Sequence, residues 1–404
     1  MKKIILLGAC ALCTLGALAQ QSVLKEADRA MKNKATLAKV VEIVKPAFTN
    51  PETQNLAQTY YIPGKAAFNE YDQLLGLKQF GKLPANGDKT MGTNLLQGYD
   101  YMMKALPLDS VPDAKGKIKT KYSKDILSVL AGHYTDFSNT AITLFNDLKD
   151  YKGAYRGFGI FLEMSDNPQL YKGIQVPGDT TLFEIAYNQA LAAFQAEDLE
   201  AALKCFQNSK ARGKTTKEIY DNIIYVATQL GDTTTIVETA KEAIPLYGAE
   251  DPNYIRYIIN DLLSKKDYAN AFKAINEAIV NDPDNVDYYL ILGVIHENDG
   301  KRDEAKAAYK KGLEVDPESA LANFYYGKSL CEDAYEVNDK APTNPAEIDA
   351  YFNAQIKPLF EQAAVYLEKS YKIDPENPDV LRYLENVYYN LKDEAKLEEV
   401  QRLK

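Results

Sequence analysis

The stretch from Asp282 to Pro317, DPDNVDYYLILGVIHENDGKRDEAKAAYKKGLEVDP, opens and closes on Asp-Pro. The two marks lie about 34 residues apart, the length of one helix-turn-helix repeat. Between them Tyr289, Leu292 and Gly293 share a helical face, Gly300 marks a turn, and Ala305, Tyr309 and Leu313 step by four along a second helix. Followed outward, the register holds: units begin near Phe183, Lys217, Pro252, Val286 and Ala320, with a last one near Pro378. Helix starts are legible as capping residues, in Asp251-Pro252, Ser319 and Asn377-Pro378. Small residues at Ala271, Gly293, Ala305, Gly327 and Ala363 let helices approach, while Leu292, Tyr309, Leu313 and Tyr326 fill the space between successive pairs. Each hairpin has a face it cannot bury alone, so stacking is the expected solution.

The order large, Leu-Gly, Gly, Ala, aromatic, Leu across residues 289–313 resembles the tetratricopeptide-repeat (TPR) signature. His296 stands where that motif usually has Tyr, and Gly312 where it usually has Ala. The resemblance covers residues 180–404 and, more loosely, 50–165. It implies an all-α fold, a TPR-type α-α superhelix (solenoid) of stacked helical hairpins. It also implies a non-catalytic scaffold that binds protein or peptide segments, by analogy of fold.

The expected organisation is a signal peptide over residues 1–19, divergent TPR-like hairpins over 20–168, and a regular array over 180–404. The array carries a helical insertion at about 332–358 and ends in a charged capping helix. In the N-terminal part, Leu24, Ala27, Met31, Leu37, Val40, Val41 and Val44 keep helical spacing and predict a first hairpin. Tyr60, Tyr61, Gly64, Ala67 and Phe68 open a second unit, with Pro63 as a candidate kink. Its partner helix, about 91–106, follows a link at 81–88 that reads as an insertion. The pattern then predicts one long helix over about 123–146, and Pro168 to Asp179 reads as a minor boundary. Between Pro317 and Asp374-Pro375 the spacing exceeds one repeat. There Ile348, Tyr351, Phe352, Ile356 and Leu359 keep helical period, predicting two lengthened helices that form an arm around Asp339 to Asn344.

Lys2 and Lys3 precede an apolar run from Ile4 to Leu18, and Ala17-Leu18-Ala19 has the form a signal peptidase accepts. That pattern predicts export across the inner membrane, with the periplasm as destination. Leu7-Gly8-Ala9-Cys10 could locally serve as a lipid-attachment box for an outer-membrane lipoprotein, yet only Ile4 to Leu7 would form its hydrophobic core. The formal charge of -10 disfavours nucleic acid and anionic membrane surfaces as partners. Cys205 and Cys331, in separate repeats, read as buried thiols without a disulfide.

No catalytic, cofactor or metal pattern is legible. His133 and His296 fall in different repeats, His296-Glu297 lacks the second His of a zinc-protease helix, and Gly153, Gly157 and Gly159 lack the ending of a phosphate loop. Resemblance to TPR proteins places the first helix of each unit on an inner binding face, where a basic residue followed four later by Asn often holds a carboxylate. Arg256 with Asn260, and Arg382 with Asn386, match that pair; Lys328, Phe324, Tyr187 and Tyr225 are further groove candidates. Val294 stands where the next repeat would add a polar partner. A glycan-binding helical receptor of SusD-like type at the outer membrane is the alternative. The absence of Trp, among 29 tyrosines, counts against it.

Overall fold

The computed structural model describes residues 22–112, 115–248 and 250–403, all helix and loop. The expected signal segment and Cys10 lie outside these residues. The chain divides into two compact units, Met1–Leu230 and Gly231–Lys404.

The first unit begins with helix α1 (22–32) and α2 (Leu37–Val44), followed by a 3-10 turn, Lys45–Phe48. Leu24, Ala27, Met31, Val40, Val44 and Ala47 close this pair against Ile62 and Ala66 of α3 (Ala57–Gln79). Two side chains start α2: Thr36 accepts the Lys39 N–H, and Glu70 Oε2 of α3 accepts the Leu37 N–H at 2.7 Å.

α3 pairs with α4 (Gly87–Leu108) and continues as helix through Pro63, which sits in its second turn. One expectation is corrected here. The extra length lies in the helices, of 23 and 22 residues, rather than in an inserted link; residues 80–86 suffice to join them. Close approach is possible because Gly98 faces Phe68 and Ala67, leaving room for their side chains but little for its own.

A further correction concerns the helix expected over 123–146. It is two, α5 (Ser123–Gly132) and α6 (Tyr134–Asn146), broken at His133 with φ -101° and ψ 13°. The His133 ring is held at that corner by stacking on Phe68 at 4.7 Å and by Asp136, whose carboxylate lies 2.9 Å from Nδ1. Asp109, just past α4, accepts the N–H groups of Lys121, Tyr122 and Ser123 and the Ser123 hydroxyl. It thereby supplies the donors at the start of α5 with a charged partner.

Next come α7 (Tyr151–Asp166), α8 (Asp179–Gln195), α9 (Leu199–Ala211) and α10 (Lys217–Leu230). Asp150 and Asp198 cap α7 and α9 through the Gly153 and Ala201 N–H groups. Tyr99, Met102, Phe137, Ala154, Phe158 and Phe161 form the continuous centre of this unit. The loop 167–178 lies within it.

The second unit contains α11 (Thr233–Tyr247), α12 (Asn253–Ser264), α13 (Tyr268–Asn281), α14 (Val286–Asn298), α15 (Arg302–Val315) and α16 (Ala320–Asp339). Asp232, Asp267, Asn285 and Ser319 cap α11, α13, α14 and α16. At α12 the expected arrangement shifts by one residue: Pro252 precedes the first helical residue, and Asp251 Oδ1 accepts the Asn253 N–H at 2.9 Å. Packing between α14 and α15 has no slack, because a Cβ on Gly293 would fall 2.1 Å from Cε1 of the fully buried Tyr309.

Beyond α16 a turn at 340–344 leads into α17 (Pro345–Tyr351), a π-turn (Phe352–Ile356) and α18 (Lys357–Ile373), one continuous helical run. Leu330, Cys331, Ala334, Ile356, Phe360, Ala363 and Leu367 pack α16 against that run, and the Tyr351 hydroxyl donates to the Val337 carbonyl. α19 (Pro378–Leu391), capped by Asn377, and α20 (Glu394–Leu403) follow; α20 buries Val400. Cys205 and Cys331 are free and buried, and burial pushes their thiols up to about 11 and about 12. No described helix is long and apolar enough to cross a membrane.

Candidate functional site

The first helices α12, α14 and α16 of three successive hairpins border a cleft of about 210 Å³. Arg256, Ile259 and Asn260 come from α12, Leu290, Ile291 and Val294 from α14, and Leu321 and Tyr325 from α16. The sequence places them there because each α-helix presents residues three and four apart on one face.

Arg256 reaches this cleft already engaged. Its Nη2 donates to Asp287 Oδ1 of α14 at 2.9 Å, while its Nε is buried without a hydrogen-bond partner. A carboxylate of the next repeat therefore occupies one edge of the guanidinium, fixing its plane and leaving other donors toward the cleft. Asn260, one turn on, is exposed. Its amide offers both a donor and an acceptor, which matches the two polar groups of a peptide unit. Val294 and Leu321 supply the apolar part. Tyr325 forms the far wall, held by a stack on Tyr309 with ring centres 5.0 Å apart.

Other candidates fall into different surroundings. Lys328 is only 20% exposed in its side chain and bridges Glu297 at 3.1 Å and Glu332 at 3.7 Å. Burial opposes its charge, but the two carboxylates outweigh burial and hold its pKa above the ordinary lysine value. Phe324 and Tyr187, expected on a groove surface, are buried in hairpin packing instead. Phe324 sits edge-on to Tyr325 and Tyr383, and the Tyr187 hydroxyl donates to Glu218 while accepting from Asn222. Their aromatic bulk fills space that a smaller residue would leave empty, which is why their spacing looked the same as that of a contact face. Tyr225, in the first unit, is exposed with its edge toward Phe194. Arg382 is exposed, pairs with Asp379 at 2.9 Å, and lies with Asn386 on the outside of α19.

Sequence reading missed Asp287 and Tyr325 as partners in the cleft. The signal was present: Asp287 stands directly after the cap Asn285–Val286, at the turn of α14 nearest Arg256. His296, at the Tyr position of the motif, is partly buried against Phe272 at 4.7 Å, and its Nδ1 has no partner. Among the described residues no group of three or more His, Cys, Asp or Glu side chains could hold a metal ion.

A tetratricopeptide-repeat family model matches residues 286–319, the α14–α15 hairpin and its exit. No curated protein matches the chain. Among solved structures it is similar to MamA from Desulfovibrio magneticus RS-1, at 17% identity over 50% of this chain and 99% of that one, with a TM-score of 0.32. It is similar to pilF of Pseudomonas aeruginosa at 13% identity over 55% and 90%, TM-score 0.38. A TPR repeats protein from Bacteroides fragilis NCTC 9343 aligns at 16% identity over 63% and 98%, TM-score 0.32. Likeness at this level carries no argument about function. The chain thus carries a tetratricopeptide repeat at residues 286–319, set in an all-α array of helical hairpins.

Proposed function

We propose that this chain is a non-catalytic interaction scaffold of the bacterial cell envelope, holding protein or peptide segments against α12, α14 and α16. The observation that carries the reading is the Arg256–Asn260 cleft. A guanidinium oriented by Asp287 and an exposed amide one turn away face an apolar floor and the Tyr325 wall. An extended segment could place a main-chain amide against Asn260, a carbonyl or carboxylate against the remaining Arg256 donors, and a small apolar side chain between Val294 and Leu321. The turn at 340–344, between two long helices, is a second contact element of the same scaffold. The envelope assignment rests on residues 1–19 of the sequence, whose basic start, apolar run and small-x-small end have the pattern of an export signal.

Crosslinking and pull-down from envelope fractions test the proposal. Wild type is compared with Arg256→Ala/Asn260→Ala and with a variant shortened at 340–344. Partners lost in one variant and retained in the other support the cleft or the arm respectively; the same partners in all three overturn both. Detection of the unprocessed chain in the cytoplasm alone would overturn the envelope assignment.

A further inference from the structure

The loop from α4 to α5, with the first turn of α5, reverses the charge of the chain. Residues 110–124, SVPDAKGKIKTKYSK, hold five lysines against one acidic residue, Asp113, a net of +4 where the whole chain carries a formal -10. Lys115, Lys117, Lys119, Lys121 and Lys124 are all exposed. The first four occupy every second position, so they fall within roughly 20 Å of chain. Physiological salt screens exposed charges beyond about 8 Å. An approaching surface therefore meets this local field rather than the average over the molecule.

The carboxylates around the loop are engaged on the protein side. Asp109 accepts the Lys121, Tyr122 and Ser123 N–H groups at 2.9, 2.8 and 2.7 Å, which holds the start and the end of the loop together. Asp125 is bound by Lys65 at 2.9 Å and by the Tyr61 hydroxyl at 2.8 Å, and Asp28 of α1 by Lys32 at 2.6 Å. Asp125 and Asp28 thus each have a lysine of their own outside the loop. The neutral residues select among anionic partners. Val111 is 61% exposed and Ile118, between Lys117 and Lys119, is 54% exposed. A soluble acidic chain gains nothing from an exposed aliphatic side chain. At a bilayer surface such side chains enter the boundary between headgroups and acyl chains while lysines meet the lipid phosphates. Tyr122, the one aromatic residue of the stretch, packs on Tyr61 with ring centres 4.4 Å apart and under the Lys121 ammonium at 4.8 Å, unlike a ring standing open to stack on nucleic-acid bases.

We propose that residues 115–124, together with Val111, dock the chain on the surface of an anionic lipid bilayer. The lysines pair with lipid phosphates, and Ile118 and Val111 enter the headgroup region. The chain then lies on the membrane without spanning it. This surface is separate from the Arg256 cleft and goes beyond the scaffold reading.

Co-sedimentation with lipid vesicles tests the proposal. The chain from Gln20 to Lys404 keeps every described residue and leaves out the apolar run from Ile4 to Leu18, which would enter a bilayer by itself. It should bind vesicles of phosphatidylcholine with about one third phosphatidylglycerol and not phosphatidylcholine alone, and binding should weaken several-fold between about 0.05 and about 0.3 M salt. Lys119→Gln/Lys124→Gln should weaken binding about twentyfold, at roughly fivefold for each lysine near the surface. Ile118→Ser keeps every charge and should weaken it about threefold. All three positions are exposed, so thermal melts should match wild type. The proposal is overturned if both vesicle types bind alike, or if either variant binds as wild type does. It is also overturned if hexaglutamate or inorganic phosphate binds as tightly as the vesicles with the same dependence on the lysines, which would make the loop a site for soluble anions. Partners captured through the Arg256 cleft should be the same in these variants, so the two readings fail separately.

Discussion

The α14–α15 and α3–α4 hairpins solve the same packing problem with different tolerance. Each places a glycine where a facing side chain comes nearest. At Gly293 an added Cβ would lie 2.1 Å from Tyr309, whose ring is fully buried and stacked on Tyr325. At Gly98 it would lie 3.0 Å from Phe68 and 3.1 Å from the Ala67 Cβ. The first contact cannot yield, because the ring is held from both sides; the second needs a shift of a few tenths of an ångström. A repeat whose contacts permit no variation keeps its sequence pattern, whereas a hairpin with slack can lengthen and diverge. The family model matches residues 286–319, which hold the tighter of these two contacts.

The sharpest way to break this comparison is to add the missing methyl at both places. Gly293→Ala should cost about 3 kcal/mol net, the overpacking exceeding the helix-propensity gain of about 1 kcal/mol that both positions share. At Gly98 the gain in helix propensity, about 1 kcal/mol, should offset most of the strain and leave a net cost below about 1 kcal/mol. Urea denaturation followed by circular dichroism gives both numbers. Equal costs at the two sites would remove slack as the reason for divergence.

Much of the second unit was legible for the same reason. Asp-Pro marks, Gly293 and Tyr309 leave few alternatives, so helix starts at α14, α16 and α19 follow from sequence. The break at His133 did not, since Gly132-His133 is compatible with a helix and the corner is set by Phe68 and Asp136 from outside the local sequence. In the cleft, Arg256 and Asn260 were legible as a pair four apart, but the Asp287 partner lies on another helix. Phe324 and Tyr187 looked like surface aromatics because period alone does not separate a residue facing a groove from one facing the next hairpin.

Two helix starts, one in each unit, differ in where the cap comes from, which gives a second pair of tests. In the second unit Asp232 caps its own helix, accepting the Thr235 N–H and hydroxyl. In the first, Asp109 reaches across a loop to the start of α5 and receives four hydrogen bonds on a buried carboxylate. Asp109→Ala should cost about 2 kcal/mol, because four part-buried donors lose one charged partner, against about 1 kcal/mol for Asp232→Ala. Burial works against ionisation of Asp109, yet the bonds from Ser123, Lys121 and Tyr122 outweigh it and depress its pKa. Asp232 is depressed chiefly by Thr235. A depressed folded-state pKa means each contribution is complete above the unfolded value, about 3.9, and is lost as pH falls through the lower folded value. Thermal melts from pH 6 to pH 2.5 should therefore show the gap between wild type and each variant narrowing only below about pH 4. A gap that does not narrow at all between pH 6 and pH 2.5 would show that the carboxylate charge is not what starts the helix.

The smallest effect should separate the two histidines. His133 Nδ1 is paired with Asp136 at 2.9 Å, whereas His296 Nδ1 is buried with no partner. His133→Phe should cost about 1 kcal/mol at pH 7.5, since Asp136 loses its hydrogen bond. His296→Phe leaves nothing unpaired and should stay within about 0.5 kcal/mol of wild type at that pH. Burial lowers the His296 pKa, with Lys301 acting in the same direction and Glu304 and Asp299 against it. A lowered folded-state value means stability is intact above the unfolded pKa of about 6.5 and declines as pH falls through the folded one. Wild type should accordingly lose stability between pH 7.5 and 5.5 that His296→Phe keeps, read as a difference in urea midpoint between the two proteins. Parallel midpoints across that range would mean the ring is already solvated at its free nitrogen. The Tyr-to-His departure at this repeat position would then carry no pH dependence into the α14–α15 core.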